Sequence, residues 1–224
     1  MVTGKTPSRT AEEWADAALQ AFAAGGVRAA SIPSIARTLG VTKGSFYWHF
    51  RGIDDLVEAA LRRWEERDRA ALDALRAVAD PRRRLIALFT EAMQSPQAQA
   101  LFVALSGSSM PMVSAAIRRM SDRRIRFLGD AYGELGFAET EARERALLVY
   151  TAYVGLLHLR GESSPSLRTS KQIDAFVRHA IATLVPERSV EGLRELQERI
   201  RKRSKGRSAL SSAEVRAAIE HGRK

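Results

Sequence analysis

Residues 31–50, SIPSIARTLGVTKGSFYWHF, fit two short helices and a tight turn into twenty positions. Ser31 suits a helix N-cap, and Pro33 falls in the first turn, where a missing N–H costs nothing. Ile32, Ile35, Ala36 and Leu39 recur at helical spacing and give this helix one apolar face. Gly40 ends it at a position suited to left-handed geometry, and Val41 plugs the corner between the helices. Thr42 is placed to cap a second helix, whose first residues Lys43, Gly44 and Ser45 face outward. A helix, a short turn with glycine and a second helix form the helix-turn-helix pattern of DNA readers.

The aromatic run that follows divides by helical direction. Phe46 and Phe50 lie four apart on one face and close a small core against Ile35 and Leu39. Tyr47 and His49 fall on other faces, because successive residues of a short helix cannot all point inward. Each then carries a polar tip within reach of a phosphate oxygen.

The same twenty residues closely resemble the N-terminal domain of the TetR family of transcriptional regulators. The resemblance rests on Ser31, Ile35, Ala36, Gly40 and Val41, on the run Thr42, Lys43, Gly44, Ser45, Phe46, Tyr47, His49 and Phe50, and on Leu56. It implies an all-α fold with a three-helix DNA-binding head (residues 1–56) and a larger helical body for ligand binding and dimerisation (57–186). It also implies a homodimer, with Ser31, Arg37, Thr42, Lys43, Ser45, Tyr47, His49 and Arg51 approaching double-stranded operator DNA. Thr42, Tyr47 and His49 would position the head on phosphates, and Lys43 and Ser45 would read bases. One departure stands out: family members often carry a lysine shortly after the closing Phe, whereas Arg51, Gly52 and Ile53 follow Phe50 here.

Charge alone points elsewhere. The chain of 224 residues carries a formal +10, and a basic protein invites a nucleic-acid reading. Yet residues 1–56 hold six Lys/Arg against five acids, while residues 187–224 contribute +5. The head is therefore marked by its motif and not by bulk charge. Cysteine is absent, which removes disulfides and thiol chemistry. The sequence shows neither a transmembrane run nor a signal-peptide pattern, so a cytoplasmic protein is expected.

Helical signals continue along the chain. Thr10 and Glu13 form a capping box before an apolar stripe of Trp14, Ala17, Ala18, Ala21 and Phe22. A long helix is expected over 56–78, then others near 82–94, 97–105, 112–135, 139–160, 170–185 and 189–203, with breaks at Pro or Gly positions. Residues 187–224 read as a basic, partly helical extension, with six Lys/Arg in RIRKRSKGR (199–207).

Segment 146–159 has apolar residues on more than one face, and 173–184 pairs an apolar stripe with a face of small side chains. Two such helices from each of two chains would form a four-helix dimer interface, as the resemblance also implies. Trp64, Phe89, Met93, Phe102, Phe127, Tyr132, Tyr153 and His158 are the candidates to line a pocket for a small-molecule effector, with ordinary core packing as the alternative. Arg119, Arg123 and Arg126 share a helix face that either receives an anion or lies in solvent. No cofactor, metal spacing or catalytic motif is read, and the four histidines are scattered. The chain is therefore expected to be a ligand-responsive repressor and not an enzyme. The alternative is a helical dimer of the same fold that binds ligands or proteins without reading DNA.

Overall fold

The computed structural model describes residues 9–161 and 169–185, and all described regular structure is helical. The chain divides into two units, Met1–Pro186 and Glu187–Lys224, and all described residues belong to the first. The second unit, with the expected helix 189–203 and the basic stretch 199–207, lies outside the described residues.

Helix α1 (Ala11–Gly25) starts at the expected capping box. The Glu13 N–H donates to Thr10 Oγ1 at 3.2 Å, and the Thr10 N–H donates to Glu13 Oε2 at 2.7 Å. A turn of 3-10 helix (Val27–Ala29) leads to α2 (Ile32–Leu39). Gly40 takes φ +68°, and the Val41 N–H donates across it to Ala36 O at 3.0 Å, which satisfies carbonyls that the helix end leaves free. Helix α3 (Lys43–Phe46) is only four residues long. Helical register nonetheless persists, because the Phe50 N–H donates to Phe46 O at 3.1 Å.

Helix α4 (Ile53–Arg76) runs unbroken from the head into the body, starting three residues earlier than the spacing suggested and ending two earlier. The body continues with α5 (Pro81–Gln94), α6 (Pro96–Ser106), α7 (Pro111–Glu134), α8 (Glu139–Gly161) and α9 (Ser170–Leu184). Proline opens α5, α6 and α7 at N1, and Gly136 at φ +91° turns the chain between α7 and α8. No described helix is long and apolar enough to cross a membrane.

One apolar core runs through head and body. Trp14, Phe22, Ile35, Phe46 and Leu56 from the head join Val57 of α4 and Phe102, Leu105, Val113 and Met120 from α6 and α7. A second core joins Leu85, Leu128, Ala131, Tyr132, Ala146 and Val149 of α5, α7 and α8. Ion pairs lace the helices outside these cores. Asp16 of α1 meets Arg63 at 2.9 Å and Arg67 at 2.6 Å on α4. Arg84 of α5 meets Glu134 of α7 at 2.7 Å.

Candidate nucleic-acid interface

The head presents its candidate DNA-reading residues from a rigid base. Phe46 is fully buried and Phe50 nearly so; Trp14 meets Phe46 edge-on at 5.3 Å, and Phe50 stacks on it at 5.3 Å. Both phenylalanines thus take the core role expected of them. With these rings pinned inward, Tyr47, Trp48 and His49 turn outward, Tyr47 being 56% exposed and Trp48 87%.

Ser31 caps α2, its Oγ accepting from the Ser34 N–H at 3.3 Å, while Ser34 Oγ accepts from the Ser31 N–H at 3.3 Å. The second half of this box was not anticipated. Thr42 occupies the N-cap position of α3, but its side chain makes no capping bond, contrary to expectation. Its carbonyl accepts from Ser45 Oγ at 2.8 Å instead. Half-buried Ser45 has therefore used its hydroxyl proton and can meet a base edge only as an acceptor.

The acids of the head are mostly spent on pairs away from this surface. Glu13 is paired with Arg9 at 2.7 Å, and Asp16 with two arginines of α4. Burial raises the Asp16 pKa, but Arg63 and Arg67 outweigh it and hold the carboxyl below its ordinary value. Arg37 and Lys43 are exposed and have no ion-pair partner among the described residues. A nearly neutral head thus still offers exposed cations as well as exposed Tyr47 and His49. Arg51 differs: its guanidinium grips Asp55 at 2.8 and 3.2 Å, and its own N–H donates to the same carboxylate at 3.1 Å. Hydrogen bonding to Arg51 lowers the Asp55 pKa. A phosphate would have to draw Arg51 out of that pair.

Sequence reasoning passed over Trp48. The signal was present, because an aromatic run with two residues committed to the core must expose those between them.

The candidate pocket residues separate into three groups. Phe89, Met93 and Tyr153 come together around two small cavities of about 30 and about 10 Å³, and the ring of Phe102 lies 6.4 Å from that of Tyr153. Trp64, Phe127 and Tyr132 are packed into cores and line neither cavity. The Tyr132 hydroxyl donates to Leu184 O at 2.6 Å, and burial pushes its pKa up to about 12. His158 is exposed, with Nδ1 3.1 Å from Val154 O. The larger cavity has room for only a few water molecules; a bulkier guest needs the side chains around it to move.

The arginine face also resolves differently from either expectation. Arg119 meets Glu65 at 2.7 Å, and both Arg123 and Arg124 meet Asp68, at 2.9 and 2.7 Å. Two of the three residues assigned to an open anion-binding face, Arg119 and Arg123, instead clamp α7 to α4. Only Arg126 remains exposed without a partner among the described residues.

Residues 15–60 match the model of bacterial regulatory proteins of the tetR family. This segment belongs to the TetR family. The TetR-family head is also 42% identical, over 59 residues, to an HTH-type transcriptional regulator, SrpR, of Pseudomonas putida. That match spans 26% of this chain and 28% of the relative, so the chain matches well under half of that protein's length. Beyond the head the likeness is one of fold. A transcriptional regulator from Rhodococcus superposes with a TM-score of 0.64 at 23% identity, covering 79% of this chain and 94% of that one. A TetR transcriptional regulator from Legionella pneumophila superposes with a TM-score of 0.69 at 17% identity, covering 80% and 99%. The TetR-type arrangement of head and helical body is therefore present across the described chain.

Proposed function

We propose that the protein is a dimeric, ligand-responsive transcriptional regulator whose head (1–56) reads a palindromic operator and whose body (57–186) receives a small molecule that releases it. The observation that carries this reading is the outward surface formed by Arg37, Thr42, Lys43, Tyr47, Trp48 and His49 around a buried Phe46, within the segment that matches the family model. Phosphate oxygens accept from the Tyr47 hydroxyl, from Thr42 and from the free cations, which sets the register of the head on the duplex. Lys43 at the start of α3 donates to a guanine edge, and Ser45 accepts from a base amino group.

Dimerisation is supported by the outer faces of α8 and α9, where Leu147, Leu148, Leu159 and Phe176 are left 39–56% exposed. Large apolar side chains left open in this way are costly in water, and a second copy that covers them relieves the cost. Two heads on one two-fold axis would meet half-sites one helical turn apart, about 34–36 Å. Coupling to the body follows from α4, which closes the head through Leu56 and Val57 and is clamped to α7 through Glu65 and Asp68. A ligand that binds better to an arrangement with mismatched heads shifts the population away from DNA.

The experiment is retention of fragmented genomic DNA by purified protein, wild type beside a Lys43→Ala, Tyr47→Ala double variant of the same oligomeric mass. Wild type is expected to hold a small, reproducible set of fragments that the variant loses. Equal retention by both would mean that this surface does not read DNA.

A further inference from the structure

We propose that the cavity between α5, α7 and α8 is an effector site for an organic carboxylate, which binds by drawing Arg124 away from Asp68. This deepens the ligand-responsive reading above and rests on it. The Asp68 carboxylate is 3% exposed and holds two guanidiniums, with Oδ2 accepting from Arg123 at 2.9 Å and Oδ1 from Arg124 at 2.7 Å. Among the described residues no other carboxylate meets either arginine, since Glu65 is taken by Arg119. Two cations on one carboxylate leave the cluster with one positive charge in excess, and both arginines are largely screened from solvent, at 18% and 22% exposure.

Arg124 is the one charged residue of the cavity wall, which it meets almost entirely through apolar atoms while Asp68 holds its guanidinium. The rest of the wall is apolar or aromatic: Leu88, Phe89 and Leu128, with Tyr150 and Tyr153. The Tyr153 ring lies under the guanidinium at 5.9 Å, and the Tyr150 hydroxyl is hydrogen-bonded to Ser121 Oγ at 2.7 Å. An uncompensated cation beside a low-dielectric wall attracts an anion far more strongly than one in water, and a guanidinium takes a carboxylate through paired hydrogen bonds. Transfer of Arg124 to such a guest leaves Asp68 still paired with Arg123, so no buried charge is orphaned.

The tail of the ligand is set by the second cavity, which shares Phe89 and Tyr153 with the first and continues to Met93, Leu156 and Phe176. A rotation of the two shared rings joins the cavities into one slot, cationic at the Arg124 end and apolar at the Phe176 end. The fitting class is thus an acid with an aliphatic or aromatic tail. Its binding loosens one of the bonds between α7 and α4, the helix that closes the head.

The test uses the full chain and a panel of straight-chain acids from butyrate to dodecanoate with phenylacetate and phenylpropionate, each beside its primary amide, measured by calorimetry. At least one acid is expected to bind ten-fold or more tightly than its amide. In Arg124→Gln the acid and amide should come within two-fold; Arg123→Gln, which cancels the excess charge and would leave Asp68 unpaired once Arg124 moves, should also weaken acid binding, whereas Arg126→Gln, outside both the cluster and the cavity wall, should keep the preference. A panel in which no acid outbinds its amide, or an Arg124→Gln protein that retains the preference, overturns the proposal. If Arg124→Gln fails to fold, Arg124→Lys, which keeps the charge but loses the paired hydrogen bonds, should narrow the preference, and an undiminished preference there overturns the proposal. DNA retention measured without any acid tests the regulatory reading separately, so failure of one is distinguishable from failure of the other.

Discussion

Phe46 and Tyr47 are neighbours in the chain with opposite tasks, and their rings meet edge-on at 5.2 Å. Phe46 is the keystone of the head, so Phe46→Ala should cost about 3–5 kcal/mol in lost transfer energy and cavity formation, seen as a lower unfolding midpoint in denaturant. Tyr47 is best tested by removing its oxygen alone. Tyr47→Phe keeps the edge contact with Phe46, so the unfolding midpoint should stay within error while affinity for a selected duplex falls about ten-fold, the worth of about one hydrogen bond to a charged group. A drop in stability with no change in affinity would place the hydroxyl in a structural role. Trp48 offers a direct optical readout, because the other two tryptophans, Trp14 and Trp64, are buried and only Trp48 is open to a quenching partner.

Among the elements, α4 carries the most varied ties. Asp68 holds two arginines of α7, and Asp68→Ala would leave both guanidiniums without their carboxylate, with an expected loss of about 3–5 kcal/mol measured by chemical denaturation. The joint between α1 and α4 is pH-dependent. Asp16 is held below its ordinary value of 3.8 in the folded protein, so its stabilising effect is complete above that value and is lost as pH falls through the lowered folded pKa. The acid limb of a stability–pH profile should therefore flatten in Asp16→Asn; an unchanged limb would show that other carboxylates set it. Several helix starts were legible because caps are local: Thr10 with Glu13, Ser31, and prolines 81, 96 and 111 each announce themselves within four residues, whereas the start of α4 at Ile53, which no side chain caps, was missed by three. The role of the α7 arginines was not, because their partners lie 54 to 56 positions away and helical spacing says only that they share a face. The same holds for Arg51, whose spacing permits a phosphate contact and whose geometry favours Asp55 four residues on.

For the whole molecule, the exposed leucines of α8 and the two-fold logic of a palindrome make a joint claim. Leu147→Glu with Leu148→Glu should halve the mass seen by light scattering, and affinity for a palindromic duplex should fall by about a hundred-fold, since one head then binds without its twin. An unchanged mass would put the interface elsewhere. The helix-turn-helix was legible from one motif, but the shared core that joins Trp14 and Phe46 to Phe102 and Met120 was not, because pairings across such distances leave no periodic trace. The most direct test of the DNA-reading claim is selection of bound sequences from random duplex DNA by the purified full chain, at roughly physiological salt because phosphate-driven affinity is steeply salt-dependent. An enriched palindrome, with half-site centres about one helical turn apart, is the expected result. No enrichment from protein shown to be folded and dimeric would contradict it and leave a helical ligand-binding module that does not read DNA.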